Sequence, residues 1–279
     1  MTESAHPSAS ARTLPRRRPA WAKAALGWSI GRTRLAPTLF GIATIVVLLL
    51  IWQAFVDAGL WNKLIVPAPS EIAQGFAPLI EDEGLIPRFF QTLGEMTAAS
   101  LLAIAAGVPI GLWLHRSRWA GRAYYNWIAS LASAPIVLLY PLFLVIFGRN
   151  AATIVAMSFC TGITSIILKT KEGLDGTRRV LIDVGRSFGL TRSQLFWKIM
   201  FPAAVPTIAT GVRLGVIYCL ISVVGVEFLI NFGGLGELID DLAQRWEIPM
   251  MFGAILFVML TSVGFFWVTE KVERWLRPM

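Results

Sequence analysis

The sequence is poor in charged residues for a chain of its length. Only 15% of its 279 residues are Asp, Glu, Lys or Arg, whereas 56% are hydrophobic. A typical soluble domain has about 25% charged residues. This little charge cannot cover the surface of a water-soluble protein, so the composition excludes a soluble globular domain.

The motifs of soluble catalysis and metal binding are also missing. The chain has no G-x-x-x-x-G-K-[ST] phosphate loop and no H-E-x-x-H motif, and its only histidines are His6 and His115. Cys160 and Cys219 lie in apolar runs, without the spacing of a metal site or a disulfide framework. We therefore expect no catalytic residue, no metal site and no cofactor bound by this chain.

What the sequence does contain is a series of apolar runs of bilayer length. A helix needs about 20 mainly apolar residues to cross a membrane. Six runs qualify, at about 36–56, 93–114, 124–147, 151–168, 208–230 and 250–269. They predict an all-α membrane protein with about six transmembrane helices over residues 36–279. Residues 1–35 are predicted to form a disordered, basic tail.

The basic residues indicate how these spans are oriented. If both termini are cytoplasmic, 21 of the 25 Lys and Arg lie on the cytoplasmic side, as expected for a multi-pass membrane protein. The net charge of +8 then reflects topology and contact with lipid, and we expect no nucleic-acid partner.

The stretch between the fourth and fifth spans predicts a stiff helix-turn-helix. Gly189 can adopt the left-handed conformation that ends a helix, and Thr191 with Gln194 forms a T-x-x-Q capping box for the next one. Pro202 and Pro206 are expected to end that helix and begin the following span. A rigid, partly apolar projection on short connections is suited to docking a soluble partner.

The translocation pathway of such a protein is harder to locate. Pro135 and Pro141 are expected to break the third span, and broken helices can line a water-filled cavity. The other candidates are polar side chains in the spans: Ser158, Thr161, Ser165, Glu95 and Glu227. The small hydroxyl residues suit tight helix packing equally well, and the carboxylates could simply be hydrogen-bonded. Arg213, near the start of a span, is interpreted as snorkelling to the interface.

The helix-turn-helix resembles the cytoplasmic loop of permease subunits of bacterial ABC importers, the inner-membrane components of binding-protein-dependent transport. That loop has the pattern E-A-A, three residues, G, nine residues, I-x-L-P. Here the same spacing gives Asp183-Val184-Gly185, Gly189, Ile199 and Pro202. Weaker similarities, including Val66–Ser70 and Gly234-Leu-Gly236, resemble the branch that imports sulfonates, taurine or nitrate.

The resemblance implies a function. The loop from Asp183 to Ile199 would be a coupling helix in a groove of a separate ATPase subunit, which uses the ATP. One loop per chain, matched to a dimeric ATPase, implies a permease homodimer. An extracytoplasmic binding protein would deliver a small anion, or alternatively a vitamin precursor or another small organic solute. An ion-coupled secondary transporter is the alternative class.

Overall fold

The computed structural model describes residues 35–276, so the predicted tail over residues 1–35 lies outside the described residues except for its last residue. Helices and turns make up the described part, and residues 35–276 contain no strand. The α-helices are α1 (Leu35–Asp57), α2 (Pro69–Glu81), α3 (Leu85–Arg116), α4 (Arg118–Ser133), α5 (Tyr140–Phe147), α6 (Ala151–Asp175), α7 (Arg179–Ser187), α8 (Arg192–Leu195), α9 (Phe201–Ile230), α10 (Gly234–Gln244) and α11 (Ile248–Leu276).

Five of these helical segments are long and apolar enough to cross a membrane, and α4 with α5 makes a sixth if that bent pair is one span. The all-α membrane fold is thus confirmed. The chain divides into two compact units, Met1–Ala54 and Phe55–Met279. Most of α1 belongs to the first unit, and all later helices form the second.

Close packing of α6 against α3 and α9 forms the centre of the second unit. A Cβ atom on Gly107 of α3 would lie 2.9 Å from a methyl carbon of Ile166, and one on Gly162 of α6 would lie 2.8 Å from the carbonyl oxygen of Gly215. Only glycine allows backbones to approach this closely in a membrane helix pair. Gly107 with Gly111, and Gly211 with Gly215, have the G-x-x-x-G spacing, and all four lie in such close contacts.

The third predicted span is broken, as its prolines suggested, but only one of them breaks it. Ala134 is extended before Pro135, because a residue before proline avoids the helical region. A short 3₁₀ turn, Ile136–Leu139, follows, and the two halves are bent by 86°. Pro141 instead lies in the first turn of α5, where its missing N–H would have no helical partner.

The helix that contains the fourth predicted span continues past residue 168 to Asp175. Its charged end is held by ion pairs along the helix, Lys169–Glu172 and Lys171–Asp175. Pro202 lies in the first turn of α9 and Pro206 lies inside that helix, and neither proline interrupts the helical path. A continuous helical segment runs from Arg192 to Ile230, since π-turns and neighbouring groups can satisfy the backbone near a proline in a membrane helix.

Candidate functional site: a helical hairpin and its anchors

The helices α7 and α8 form a hairpin, and Gly189 closes the turn between them. The Leu190 N–H donates to the Gly185 carbonyl over 3.2 Å, and the Gly189 N–H donates to that of Arg186 over 2.9 Å. This is the Schellman pattern of helix ends, and Gly189 takes the left-handed φ of +70° that it requires. The predicted end of the first helix is confirmed.

The start of α8 is fixed by the predicted capping box. The Gln194 N–H donates to Thr191 Oγ1 over 3.3 Å, and the Thr191 N–H donates to Gln194 Oε1 over 3.0 Å. A π-turn over Phe196–Met200 then joins α8 to α9. The hairpin is therefore defined at both helix ends and continues directly into a long helix.

Gly185 brings the two arms of the hairpin together. A Cβ atom there would lie 2.5 Å from Ile199 Cδ1 and 2.6 Å from Leu195 Cδ1. Ile199 and Leu195 thus pack directly on the backbone of α7. This contact explains why a residue with low helix propensity lies in the middle of the helix.

One face of α7 is apolar and exposed. Val180, Val184 and Phe188 recur at a spacing of four residues, which places them on the same side of the helix. Phe188 is 80% exposed and Val184 is 46% exposed. Asp183, the acidic residue of the spaced motif, is exposed beside them and makes an ion pair of 3.6 Å with Arg186. An apolar stripe flanked by charge is typical of a docking surface.

An anchor connects this hairpin to the ends of α3 and α6. The Phe196 ring lies against the His115 ring, with centroids 6.5 Å apart and planes 29° apart. His115 Nδ1 is 2.6 Å from Asp175 Oδ1, and Asp175 also accepts from Lys171. Displacement of the hairpin would therefore also displace the ends of α3 and α6. No local sequence pattern indicates this anchor, because its partners come from three separate segments.

The small hydroxyl residues of the candidate pathway lie in contacts between helices. Ser158 is fully buried, and its carbonyl accepts from Cys219 Sγ of α9 over 3.4 Å. Thr161 Oγ1 donates to the Met157 carbonyl and lies 3.3 Å from Ser222 Oγ. Ser165 is half-buried, with its carbonyl near Gly211. Within one chain these residues pack α6 on α9.

Glu227 makes a buried connection at the opposite end of α9. Its side chain is inaccessible to solvent, and Oε2 accepts from Thr92 Oγ1 over 3.0 Å and from the Gly236 N–H over 2.9 Å. A carboxylate is favoured at a helix N-terminus, and Glu227 lies at that of α10. Glu95, one turn from Gln91 on α3, accepts from its side-chain amide over 3.3 Å. Both carboxylates are therefore hydrogen-bonded.

Arg213 has a buried partner that the sequence analysis did not identify. Its Nη1 lies 3.0 Å from Glu273 Oε2 of α11, and Thr210 Oγ1 donates to the other carboxylate oxygen over 3.0 Å. The Arg213 side chain is 20% exposed and that of Glu273 is 3% exposed. The interpretation as simple snorkelling therefore omits an ion pair that connects α9 to α11.

Residues 35–276 contain no group of three or more His, Cys, Asp or Glu side chains that could hold a metal ion. The described geometry defines a class: a multi-pass helical membrane protein with a rigid, partly apolar hairpin at one end of its central helix. The chain belongs to the family of binding-protein-dependent transport system inner membrane components, whose model matches residues 99–278. It is thus a permease subunit of an ABC importer, a type of transporter that also has an ATPase and a substrate-binding protein.

Curated relatives are 23–28% identical to the chain over the aligned residues. The formylaminopyrimidine transport permease protein ThiX of Halalkalibacterium halodurans is 25% identical, covering 88% of this chain and 95% of its own length. The nitrate import permease protein NrtB of Synechocystis sp. is 27% identical over 77% and 80% of the two chains. The taurine transport system permease protein TauC of Escherichia coli is 23% identical over 85% and 88%.

Solved structures show the same fold. Inward-facing conformations of the MetNI methionine ABC transporter include a chain with a TM-score of 0.59 and 18% identity, covering 69% of this chain and 95% of that one. An amino acid ABC transporter with histidines gives a TM-score of 0.60 and 18% identity, covering 71% and 97%. The family and the fold class predicted from the sequence are both confirmed.

Proposed function

We propose that the hairpin of α7 and α8 is the site at which this permease docks on its ATPase subunit. The observation that carries the proposal is the exposed stripe of Val180, Val184 and Phe188 on α7. The turn at Gly189 closes the C-terminal end of this helix, and Leu195 and Ile199 pack on its backbone. An apolar stripe offers contact area, and a rigid projection loses little conformational freedom when it binds. The site comprises the hairpin and the turn that follows it, with the residues Asp183, Gly185, Gly189, Thr191, Gln194, Ile199 and Pro202.

Coupling to transport follows from the anchors of the hairpin. The π-turn joins it to α9, and Phe196 connects it to His115 and Asp175 at the ends of α3 and α6. When ATP draws the ATPase subunits together, the hairpins move with them, and the attached helices tilt as packed units. In this proposal the hairpin and both termini lie in the cytoplasm, which the distribution of Lys and Arg supports.

The remaining assignments follow the same architecture. Two copies of the chain would enclose the pathway, because one hairpin serves one ATPase subunit. The pathway would use the third span, which is broken at Pro135 and continues in α5 with Pro141 in its first turn. After rearrangement of the helices it would also use the polar residues Ser158, Thr161, Ser165, Glu95 and Glu227. The chain itself would catalyse no reaction and bind no cofactor, and the ATPase subunit would use the ATP.

For the substrate we propose a small anion such as a sulfonate, taurine or nitrate. The relatives named for nitrate and taurine transport favour this class. A vitamin precursor is the second candidate, because ThiX is named for formylaminopyrimidine transport and RibX of Chloroflexus aurantiacus, 26% identical, for riboflavin. Equilibrium binding of taurine, nitrate and formylaminopyrimidine to the purified binding protein would separate the two.

The docking proposal is tested with two matched variants of the hairpin. Val184→Asp places a charge on the apolar stripe, whereas Ser193→Asp places the same charge on exposed α8, near a helix N-terminus where it is tolerated. We expect Val184→Asp to abolish co-purification with the cognate ATPase and ATP-driven uptake into vesicles, and Ser193→Asp to retain both. Equal retention by both variants, or uptake without any ATPase, would exclude the proposal.

A further inference from the structure

The turn after α10 presents a tryptophan in an unusual conformation. The Trp246 N–H donates to the Ala243 carbonyl over 3.2 Å, and the Glu247 N–H donates to that of Leu242 over 3.0 Å. This is again the Schellman pattern, in which glycine is usual. Trp246 adopts a left-handed φ of +60°, which bulky side chains rarely do, and its side chain is 76% exposed.

The turn is held in place from both sides. Arg245 donates to both oxygens of Glu83, over 2.8 and 2.6 Å, and to Asp241 over 3.0 Å. Leu238 and Leu242 of α10 are fully buried. An exposed indole on so well fixed a turn is pre-organised, and strained backbone that its surroundings maintain is concentrated at functional sites.

The contacts at the other end of α10 extend this fixation. Its first turn is bound by Glu227 and Thr92, and Glu237 makes an ion pair of 3.0 Å with Arg88. Contacts from α3 and α9 thus hold the first turn of α10, and the Arg245 contacts hold its last turn, so Trp246 projects from a rigid support.

The surroundings of Trp246 are acidic. Residues 57–92 and 231–249 contain nine of the 17 acidic residues of the chain but only three of its 25 basic residues. The exposed acidic residues of these two segments are Asp57, Glu81, Asp82 and Glu247. The end of the molecule that carries α10 is separated from the hairpin by the 30 residues of α9, about 45 Å of helix. It therefore faces a different compartment from the ATPase.

We propose that Trp246 is the anchor of the docking surface for the soluble extracytoplasmic binding protein, and that this partner presents basic side chains around a pocket for the indole. The inference rests on the proposed function, and it adds which residue and which charge the partner recognises. Tryptophan is enriched among the residues that dominate interfaces, and the acidic rim selects a basic partner. An anionic lipid surface would be repelled by that rim.

The conformation of Trp246 allows docking to be separated from stability. Trp246→Gly removes the indole and relieves the left-handed φ, so the thermal unfolding temperature should stay unchanged or rise. If Trp246 had only a structural role, its replacement would lower the unfolding temperature. Trp119→Ala is the matched control, because Trp119 is also largely exposed, at 73%. It lies in the first turn of α4, at the end of the molecule where the hairpin lies.

The assay uses the permease and its ATPase in lipid nanodiscs, titrated with the cognate binding protein. We expect Trp246→Gly to raise the half-maximal concentration for ATPase stimulation at least tenfold, with basal ATPase activity unchanged. Trp119→Ala should leave that concentration unchanged, and added salt should raise it for the unsubstituted transporter. An unchanged value for Trp246→Gly overturns the inference.

Two further results discriminate between explanations. In Trp246→Cys, the introduced thiol should react with a water-soluble maleimide in membranes, and the binding protein should protect it. Failure to react, compared with the unsubstituted chain as background, would place this residue in lipid and overturn the inference. If the ATPase subunit does not associate with the permease at all, the proposed function fails instead, independently of Trp246.

Discussion

Replacing Gly189 by alanine isolates the contribution of one backbone angle to the hairpin. A Cβ atom at Gly189 has no atom within 4 Å, so the substitution creates no clash. It does place alanine at a φ of +70°, and the left-handed conformation costs a non-glycine residue about 1–2 kcal/mol. The hairpin turn should therefore open about 5- to 30-fold more often.

Hydrogen exchange of the hairpin peptides measures this opening. The Gly189 and Leu190 amides, which close the turn, should exchange faster in Gly189→Ala by the same factor. Gly189→Asn is the conservative variant, because asparagine tolerates the left-handed region. Gly264→Ala is the control for adding a methyl group, since that site is also open but lies within α11, where alanine is favoured.

ATP-driven uptake should follow the same order, with Gly189→Ala impaired and both Gly189→Asn and Gly264→Ala close to the unsubstituted chain. The reasoning is wrong if Gly189→Ala exchanges at the original rate. If exchange accelerates while uptake remains normal, the closed turn is not required for coupling, and the assignment of this hairpin must be revised.

Three further predictions concern the anchors of the spans. Glu227→Ala leaves the buried Gly236 N–H without its acceptor, whereas the Thr92 hydroxyl can still donate to the Arg88 carbonyl. The substitution should lower the free energy of unfolding by about 1–3 kcal/mol, measured by thermal unfolding in detergent. Glu273→Ala leaves Arg213 without its partner and should cost about 2–3 kcal/mol, below the full value for a buried pair because the guanidinium is partly exposed. The hydrogen bond from Arg245 holds the pKa of Glu83 below its ordinary value. Stability from this pair is present above the unfolded-state pKa of about 4.3 and should be lost as pH falls through the lower folded-state pKa.

Each of these predictions has its own control. Glu227→Gln keeps a carbonyl acceptor and should be milder than the alanine variant. Glu270→Gln removes an exposed pair with Arg274 and should have little effect, so an equal loss for Glu273→Ala and Glu270→Gln would contradict the importance of the buried pair. In Glu83→Gln the unfolding temperature should depend less on acid pH, and an unchanged profile would exclude Glu83 as the source.

The hairpin could be predicted from the sequence because its determinants are local. A capping box needs two residues three apart, and a Schellman turn needs one glycine at a helix end. The positions of Thr191, Gln194 and Gly189 therefore determined the turn without tertiary information. Even the packing of Ile199 on Gly185 connects residues only 14 positions apart, within the spaced motif that carried the family resemblance.

The rest of the fold depended on contacts that local patterns do not reveal. Glu227 and Thr92 are separated by 135 positions, so no spacing rule connects them. The continuation of α6 past residue 168 was not predicted, because Lys169 and Lys171 are typical of a loop, although ion pairs along the helix support them. The left-handed conformation of Trp246 was not predicted, because glycine, and not tryptophan, is the usual residue at a left-handed helix end.

The long helical segment Arg192–Ile230 joins the two surfaces that partners are proposed to use. Its 39 residues correspond to about 58 Å of helix, and it has Thr191 immediately before one end and Glu227 close to the other. The π-turn at Phe196–Met200 is a local deviation, and such turns are often found at functional sites. The helix beyond this turn is held to α10 by the hydrogen bond between Glu227 and Gly236, so the two helices would move as one body. Motion of the hairpin would then reach Trp246 through a single packed helix, and the two partners would sense each other without a separate relay.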